Sequence, residues 1–379
     1  MRIGMTRNFV LYCETAWLGI ALVLGTGTAM AQTVAGSIAK PPAASAPVPP
    51  AAAAAPASPA EQAPYLAAPP APQPAEISPF PTPNPRDFNA PTPTLDTMNS
   101  FLNQVWGYDS NRIWRVMAIQ KTDAPYVTRV LVYVTSKDSG AKLQPAVFFI
   151  TPDGKHLIEG PTMVSFSATP YAETAALLKA RANGAARGAA SKDLMIVEFA
   201  DLQCPFCKVA QSTMDQIVKD FPAAHVVFQQ LPLVSIHSSA FKAAAYGVCA
   251  QKQSDETFYK FATGVFDTQE ALTPTTDDTI LRAAAQRAGL DGAAIAACAN
   301  TQATKDIVNA DIKLAQDAGI DETPTLVVNG RPISMGISYD TIKQLIVFQA
   351  KLDGVATGAS ADIIAPPPPS QPPLINLPK

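Results

Sequence analysis

The stretch from residue 194 to residue 207, LMIVEFADLQCPFC, decides the fold of this 379-residue chain. Its first half is a short apolar run of the kind that forms a buried strand. Cys204 and Cys207 follow, with Pro205 at the first position of a predicted helix, where its missing N–H costs nothing. Main-chain N–H groups and the helix dipole would favour a thiolate at the start of that helix. We predict that Cys204 is the attacking thiolate and that Cys207, more buried, closes a disulfide with it.

The elements after this stretch are predicted to alternate between helices and strands. They comprise a helix at 205–221, a strand at 226–231, a mostly helical block at 238–318, a hairpin at 325–328 and 332–335, and a helix at 339–352. This order predicts an α/β architecture, a thioredoxin fold with a helical insertion, over residues 191–353.

A small α+β domain is predicted ahead of it, at residues 95–168. Its expected elements are a helix at 95–106, strands at 112–119, 126–134 and 146–150, and a hairpin return at 156–158. Residues 169–190 are predicted to be a helical connector that Thr169 caps and that the glycines Gly184 and Gly188 loosen. Such a joint would let the two domains move relative to one another.

The N-terminus has the pattern of a secretory signal over residues 1–31. Arg2 and Arg7 precede an apolar stretch, and small residues at 29–31 form a cleavage site. This predicts export to the periplasm through a cleaved signal peptide. The alternative is an uncleaved signal that anchors the protein in the membrane.

Proline-rich stretches flank the two predicted domains. Of the 36 prolines, 18 lie between Pro41 and Pro93 and 7 between Pro366 and Pro378. Segments of this composition have too few large apolar groups to offset the entropy of ordering. We therefore predict long disordered Pro/Ala-rich segments, a linker at residues 32–94 and a tail at residues 354–379.

Charge and cysteine content narrow the function classes. The net charge of −3, without a basic run, argues against a nucleic-acid partner. Four cysteines follow the signal, an even number typical of disulfide chemistry in an exported protein. A zinc site would need two more ligands at compatible spacing, but Cys249 and Cys298 form no second C-x-x-C pair, so no metal is predicted. An inert disulfide at Cys204 and Cys207 stays as an alternative.

The residues Glu198–Cys207, together with Glu322-Thr323-Pro324-Thr325, resemble the DsbA-like thioredoxin-fold proteins of the bacterial envelope. The resemblance covers about residues 194–352. The small domain, through FFITPDGKHLIEG at residues 148–160, resembles the cystatin-like N-terminal dimerisation region of the DsbC and DsbG isomerases. This second resemblance implies a homodimer that forms through the small domain.

The family resemblance implies roles for further residues. Thr323-Pro324 matches a cis-proline loop that packs beside the active-site disulfide, where Thr323 offers main-chain groups to an extended substrate. Thr323, Pro324 and Phe206 are thus the predicted substrate-binding residues. Glu198 matches a buried acid with a raised pKa that exchanges a proton with Cys207. Its alternative role is a carboxylate at the rim, paired with a lysine such as Lys208.

The same resemblance places a second cysteine pair, Cys249 and Cys298, within the helical insertion. It implies a structural disulfide, with two buried free thiols or a second redox pair as alternatives. His237 is predicted to be a packing or helix-start residue, because no acid can be placed to orient it for catalysis.

These observations predict an enzyme that forms, reduces or isomerises disulfides in exported proteins. Phe206 stands where the strongest oxidants of the family carry histidine, which favours an isomerase or reductase. The alternatives are a DsbA-type oxidase and, from a different class, a periplasmic chaperone or copper-handling module. The predicted partners are unfolded or misoxidised exported proteins and a membrane redox partner. No cofactor beyond the Cys204–Cys207 disulfide is predicted.

Overall fold

The computed structural model of this protein describes residues 78–160 and 162–360. The predicted signal peptide at residues 1–31 lies outside the described residues. Most of the predicted linker and tail, residues 32–77 and 361–379, lies outside them as well.

The first domain is a helix packed on an antiparallel sheet. Helix α1 (Leu95–Trp106) has the predicted limits, and the side chain of Thr94 caps it by accepting from Thr97 N at 3.1 Å. The strands follow in the spatial order β1-β2-β3-β4-β5, and the apolar face of α1 covers the sheet. They are β1 (Arg112–Lys121), β2 (Thr128–Ser136), β3 (Gln144–Ile150), β4 (His156–Glu159) and β5 (Thr162–Ser165).

The prediction that the linker extends to residue 94 is wrong. Asn89 and Ala90 donate their main-chain N–H groups to the carbonyl oxygen of Ile119, at 3.0 and 3.1 Å. Phe88 packs against the core of the small domain, and a short 3-10 helix, Pro85–Asp87, precedes it. The partial burial of Phe88 and these hydrogen bonds help to offset the entropy of ordering this proline-rich segment.

The connector between the domains also differs from its prediction. Helix α2 (Ala172–Arg181) begins after Tyr171 without a side-chain cap, so the expected cap at Thr169 is wrong. Residues 185–188 are not a loose joint but form strand β6 (Ala185–Gly188), which pairs with a strand of the second domain. Gly184 permits this pairing, because a Cβ there would lie 2.0 Å from the carbonyl oxygen of Phe228.

A five-stranded sheet forms the centre of the second domain. Besides β6 it contains β7 (Leu194–Ala200), β8 (Ala224–Gln230), β9 (Thr325–Val328) and β10 (Arg331–Ser334), in the order β10-β9-β7-β8-β6. Strand β7 runs parallel to β8 and antiparallel to β9. All its residues are buried, as the apolar run predicted. Residues 201–207 directly follow this buried central strand and therefore lie at the end of the sheet where β7 stops.

Helices cover both faces of this sheet. Helix α3 (Pro205–Asp220) joins β7 to β8, and α9 (Tyr339–Leu352) follows the closing hairpin with the predicted limits. Between β8 and β9 lies the helical insertion of α4 (Ala240–Gln251), α5 (Asp255–Thr268), α6 (Asp277–Arg287), α7 (Gly292–Ala299) and α8 (Gln302–Asp317). The thioredoxin fold with a helical insertion is confirmed.

The fold continues past the predicted domain end at residue 353. Val355 and Ala359 pack against the core between the sheet and α9, and Thr357 O accepts from Ala223 N at 3.2 Å. The prediction that the disordered tail starts at residue 354 is therefore wrong for residues 354–360. Val355 and Ala359 precede the prolines at residues 366–378, and the prediction of a disordered tail depended on those prolines.

A buried arginine joins the two domains. Arg331 on β10 donates to Gln349 Oε1 at 2.8 Å, to the Tyr171 hydroxyl at 3.3 Å and to the carbonyl oxygen of Gln104 in α1. Its guanidinium also lies over the Tyr171 ring, 4.4 Å from the centroid. The small domain is thus held against the sheet that carries the cysteine pair.

Candidate active site

Cys204 and Cys207 lie where β7 passes into α3. After β7 ends at Ala200, a turn brings Cys204 to the N-cap of α3 in an extended conformation, and Pro205 occupies the first helical turn as predicted. Cys204 exposes 3% of its surface and Cys207 none, so both sulfurs are shielded and Cys204 is the more accessible. Both are free thiols in this structure.

The pKa of Cys204 is lowered to about 5. The largest cause is a hydrogen bond with the Cys207 thiol, and further hydrogen bonds come from the main-chain N–H of Cys207, from Thr323 and from the N–H of Phe206, while burial acts in the opposite direction. The depressed pKa was predicted from the main-chain donors of the helix. These donors contribute, but the neighbouring thiol contributes most.

The pKa of Cys207 is raised, chiefly by burial and then by its hydrogen bond with Cys204. The main-chain N–H of Asp201 lies 3.4 Å from the Cys207 sulfur and favours its thiolate. The nearby charge of Glu198 acts in the opposite direction. At neutral pH the two sulfurs therefore differ in protonation, although they are only three residues apart.

Glu198 is a buried acid on β7. It exposes 1% of its surface, and burial raises its pKa to about 7, while the positive charge of Arg187 works against this shift. Gln211, one turn after Cys207 on α3, donates to Glu198 Oε1 at 2.8 Å and to the carbonyl oxygen of Cys207 at 3.1 Å. The alternative of a rim carboxylate paired with Lys208 is wrong, since the hydrogen-bond partner is Gln211.

The Thr323–Pro324 segment lies opposite Cys204. Its peptide bond is cis, and it directly precedes β9, which pairs with β7 through Thr325 and Phe199. The Cys204 thiol donates to the carbonyl oxygen of Thr323, with 3.6 Å between sulfur and oxygen. The two predicted parts of the site, 119 residues apart in sequence, are thus in contact.

Sequence reasoning missed the polar residues that support the turn before Cys204. Asp201 is buried and contacts Leu233 N and His237 Nδ1, at 2.9 and 2.7 Å. The acid that the sequence analysis could not place beside His237 is therefore Asp201. Gln203 donates to Leu272 O at 2.9 Å and connects the site to the helical insertion. The one signal in the sequence concerned Gln211, whose spacing of four residues from Cys207 indicates that both side chains lie on the same face of α3.

Exposed apolar side chains lie on α3 and on the segment that the Asp201 side chain contacts. Phe206 and Val209, on the first turns of α3, are 73% and 71% exposed. Val234 and Ile236, in the segment that Asp201 contacts, are 59% and 70% exposed. Exposed large apolar residues are typical of contact surfaces.

The second cysteine pair is a disulfide between α4 and α7. Cys249 and Cys298 are bonded, with their Cα atoms 6.1 Å apart. Cys249 is buried in the core that also contains Cys204 and Cys207, and Thr304 of α8 lies beside both sulfurs. The disulfide therefore ties together helices of the insertion.

Residues 181–347 match the model of a family described as Thioredoxin. The strand order of the second domain and the position of the cysteine pair agree with this match.

Among curated proteins, the chain is similar to segments of two antiporters. It is 28% identical over 145 residues to the Na(+)/H(+) antiporter NhaA 3 of Salinispora tropica, a match covering 38% of this chain and 21% of that protein. It is 31% identical over 147 residues to the Na(+)/H(+) antiporter NhaA 1 of Mycolicibacterium vanbaalenii, covering 38% and 23%. The chain thus spans about a fifth of the length of these relatives. In residues 78–160 and 162–360, no helix has both the length and the apolar character that a membrane crossing requires.

Three solved structures are similar to a part of this chain. Oxidised BdbD from Bacillus subtilis is 24% identical, with 46% of this chain and 95% of that chain covered and a TM-score of 0.41. The catalytic domain of Proteus mirabilis ScsC is 20% identical, with 48% and 99% covered and a TM-score of 0.41. Pseudomonas aeruginosa DsbA2 is 28% identical, with 45% and 96% covered and a TM-score of 0.38.

Proposed function

We propose that this protein is a thiol–disulfide oxidoreductase that acts on exported polypeptides through Cys204 and Cys207. The observation that carries the proposal is the opposite shift of two neighbouring thiols. The pKa of Cys204 is lowered to about 5, while the pKa of Cys207 is raised. At neutral pH the first sulfur is a thiolate nucleophile, and the second keeps its proton until the first has reacted.

In the reducing direction, the Cys204 thiolate attacks one sulfur of a substrate disulfide. The substrate S–S bond breaks, a mixed disulfide forms at Cys204, and the second substrate sulfur leaves as a thiolate. Cys207 then loses its proton and attacks the Cys204 sulfur, which releases the first substrate sulfur as a thiolate. Two electrons pass from the protein to the substrate, and the Cys204–Cys207 disulfide remains. The scheme needs no cofactor beyond the cysteine pair.

Oxidation of a substrate is the same sequence in reverse. In isomerisation, a substrate thiolate rather than Cys207 attacks the mixed disulfide, and no net electrons are transferred.

Glu198 is the proposed base for Cys207. A buried thiol cannot release its proton directly to water, and Glu198 lies near enough for its charge to affect the pKa of Cys207. With a pKa of about 7, the carboxyl can both accept and release a proton near neutral pH. Gln211 orients it through the hydrogen bond to Oε1.

The surroundings of Cys204 favour a polypeptide substrate. An unfolded segment exposes apolar side chains, which can contact Phe206 and Val209. When Cys204 ionises it can no longer donate to Thr323 O, and this carbonyl becomes free to accept an N–H from an extended substrate. Ionisation of the sulfur and exposure of a main-chain acceptor would then occur together.

The direction that we propose is reduction or isomerisation. Phe206 stands between the cysteines where a histidine would add positive charge near Cys204. A Cys204 pKa of about 5 lies between the value of about 7 for thioredoxin and about 3.5 for DsbA. A less stabilised thiolate makes a weaker oxidant than DsbA, since the reduced form gains less.

We propose a periplasmic homodimer, following the secretory pattern of residues 1–31 and the free edge of the small domain. Strand β5 is at the edge of its sheet, and Met163 on it is exposed, so a second copy could extend the sheet there. A membrane redox partner would restore the cysteine pair after each turnover. Light scattering of the full chain and of Met163→Lys tests the dimer, because a lysine on the edge opposes strand pairing.

A redox titration tests the proposed activity. The purified full-length protein is equilibrated in glutathione buffers and the state of its cysteines is read by mass spectrometry after alkylation. A reversible two-electron transition, absent in Cys204→Ser, and reduction of a small aromatic disulfide are the expected results. An inactive wild type whose free Cys204 and Cys207 never interconvert with a disulfide would contradict the proposal.

Refolding of a scrambled-disulfide protein separates the directions. An isomerase recovers native pairing under mildly reducing conditions, and its Cys207→Ser variant keeps part of this activity, since a substrate thiolate resolves the mixed disulfide. An oxidase acts on the reduced substrate and loses all turnover in Cys207→Ser. The second pattern would overturn the proposed direction and leave the cysteine chemistry intact.

A further inference from the structure

The carboxylate of Asp201 collects three donors beside the active-site helix. Its Oδ1 accepts from Gln203 N at 2.7 Å, and its Oδ2 accepts from Leu233 N at 2.9 Å and lies 2.7 Å from His237 Nδ1. The side chain of Asp201 is fully buried. Because a carboxylate only accepts hydrogen bonds, His237 must carry a proton on Nδ1 for this contact.

The same residue contacts the cysteine pair through its main chain. The Asp201 N–H lies 3.4 Å from the Cys207 sulfur, and Asp201 O accepts from Cys204 N at 3.0 Å. Asp201 therefore contacts the cysteine pair through its main chain and a separate chain segment through its side chain.

That separate segment is the 232–238 turn, which follows β8. The turn is closed internally, with Ile236 N and His237 N donating to Leu233 O at 3.0 and 2.9 Å. Val234 and Ile236 point into solvent from it. Leu233 and His237, the two positions that Asp201 holds, bracket these exposed side chains.

We propose that Asp201 is a positioning residue for substrate recognition, since its carboxylate fixes the 232–238 turn beside Cys204 so that Val234 and Ile236 contact the polypeptide around the reacting disulfide. The inference rests on the proposed function and names a determinant of its substrate preference. Polypeptides with apolar side chains near the disulfide are the preferred substrates, and small disulfides, which do not reach the turn, are unaffected by it.

A carboxylate is required because three donors converge on two oxygens. In Asp201→Asn one oxygen becomes an NH₂ group that faces the main-chain N–H of Leu233 or of Gln203. Two donors then oppose each other in a buried place, which costs more than the loss of one hydrogen bond. The turn is expected to leave its position, while the cysteines keep their own hydrogen bonds.

The experiment compares a protein disulfide with apolar flanking residues and a small aromatic disulfide, using the full-length chain. In Asp201→Asn, kcat/KM for the protein substrate should fall about tenfold more than for the small disulfide, mainly through KM, as one charged hydrogen bond implies. The double variant Val234→Ser/Ile236→Ser keeps the contacts of Asp201 with the turn. It should show the same preferential loss of kcat/KM for the protein substrate. Asp306→Asn, an exposed substitution on α8, is the matched control and should keep the wild-type kcat/KM for both substrates.

The combined triple variant completes the test. If Asp201 acts by holding the turn, removal of the apolar side chains adds little once the carboxylate is gone, so the effects are not additive. Equal losses with both substrates, additive effects, or no change in Val234→Ser/Ile236→Ser would overturn the inference. A wild type that reduces neither substrate would instead contradict the proposed function, and misfolding of Asp201→Asn leaves the double serine variant to decide.

Discussion

The raised pKa of Glu198 makes a prediction about stability as well as about turnover. Replacing Glu198 by glutamine keeps the shape of the side chain and an oxygen for the hydrogen bond from Gln211, but removes the titration. The stability of the variant should therefore differ from that of the wild type in a way that depends on pH. The reason is that the buried carboxyl binds its proton more tightly in the folded protein than in the unfolded chain.

The sign and size follow from the two pKa values, 4.5 for the ordinary carboxyl and about 7 in the fold. Below pH 4.5 both states hold the proton, and the charge has no effect on stability. From pH 4.5 to 7 the unfolded chain releases the proton while the folded protein keeps it, so the wild-type free energy of unfolding falls as pH rises. Above pH 7 the loss is complete and amounts to about 3 kcal/mol, at about 1.4 kcal/mol per pKa unit.

Urea unfolding of the reduced protein between pH 4.5 and 8 measures this effect. Glu198→Gln should gain about 3 kcal/mol relative to the wild type across that range. The change with pH is the useful quantity, because any packing difference between glutamate and glutamine does not depend on pH. Glu173→Gln, exposed on α2, is the control. A Glu198→Gln difference that stays constant with pH would refute the buried, neutral carboxyl and with it the proposed proton acceptor for Cys207.

The remaining predictions concern the attacking sulfur, the second disulfide and the β6 edge. Alkylation of Cys204 should accelerate as pH rises through about 5 and then level off, while Cys207 stays unreactive. Mass spectrometry of pulse-labelled protein measures both rates. A midpoint near 8.5 for Cys204, as in a free thiol, would contradict its assignment as the attacking thiolate. Replacing Cys249 and Cys298 together by alanine should lower the free energy of urea unfolding by about 4 kcal/mol, from the 49-residue separation; a loss below about 1 kcal/mol would count against a structural role. Gly184→Ala should lower the free energy of unfolding by about 3 kcal/mol in the same assay, because the added Cβ would lie 2.0 Å from Phe228 O. The control Gly336→Ala, whose Cβ would lie 3.6 Å from its nearest neighbour, should lower it far less. Equal losses would contradict the packing argument.

The parts of the fold that the sequence predicts well are those with local physical causes. Helix α1 has its own capping residue, Thr94, and an apolar stripe at helical spacing. Helix α9 begins after Ser338, whose side chain accepts from Thr341 N. The run from Leu194 to Ala200 is apolar enough to be a buried strand wherever it lies, and the C-x-x-C pair with Pro205 marks the start of the following helix.

The parts that the sequence does not predict depend on distant partners. Strand β6 contains alanine and glycine, which have little strand preference, and forms because β8 offers it an open edge. Strand β5 has only four residues and is held in place by its antiparallel pairing with β4. Asp201 and Leu233 are 32 residues apart, and they meet only because β7 and β8 run parallel and end side by side.

The order of the chemical steps follows from the same non-local contacts. Cys207 is fully buried and Cys204 is the more accessible sulfur, so in the proposed mechanism every exchange with a substrate starts or ends at Cys204. Whether a mixed disulfide then proceeds to reduction depends on how readily Cys207 loses its proton. Below pH 7 Glu198 is mainly protonated and cannot accept it, and above pH 7 it is mainly ionised and can. In the mechanism that we propose, the buried carboxyl on β7 controls the step at which reduction and isomerisation diverge, although it is six residues from the attacking sulfur in sequence.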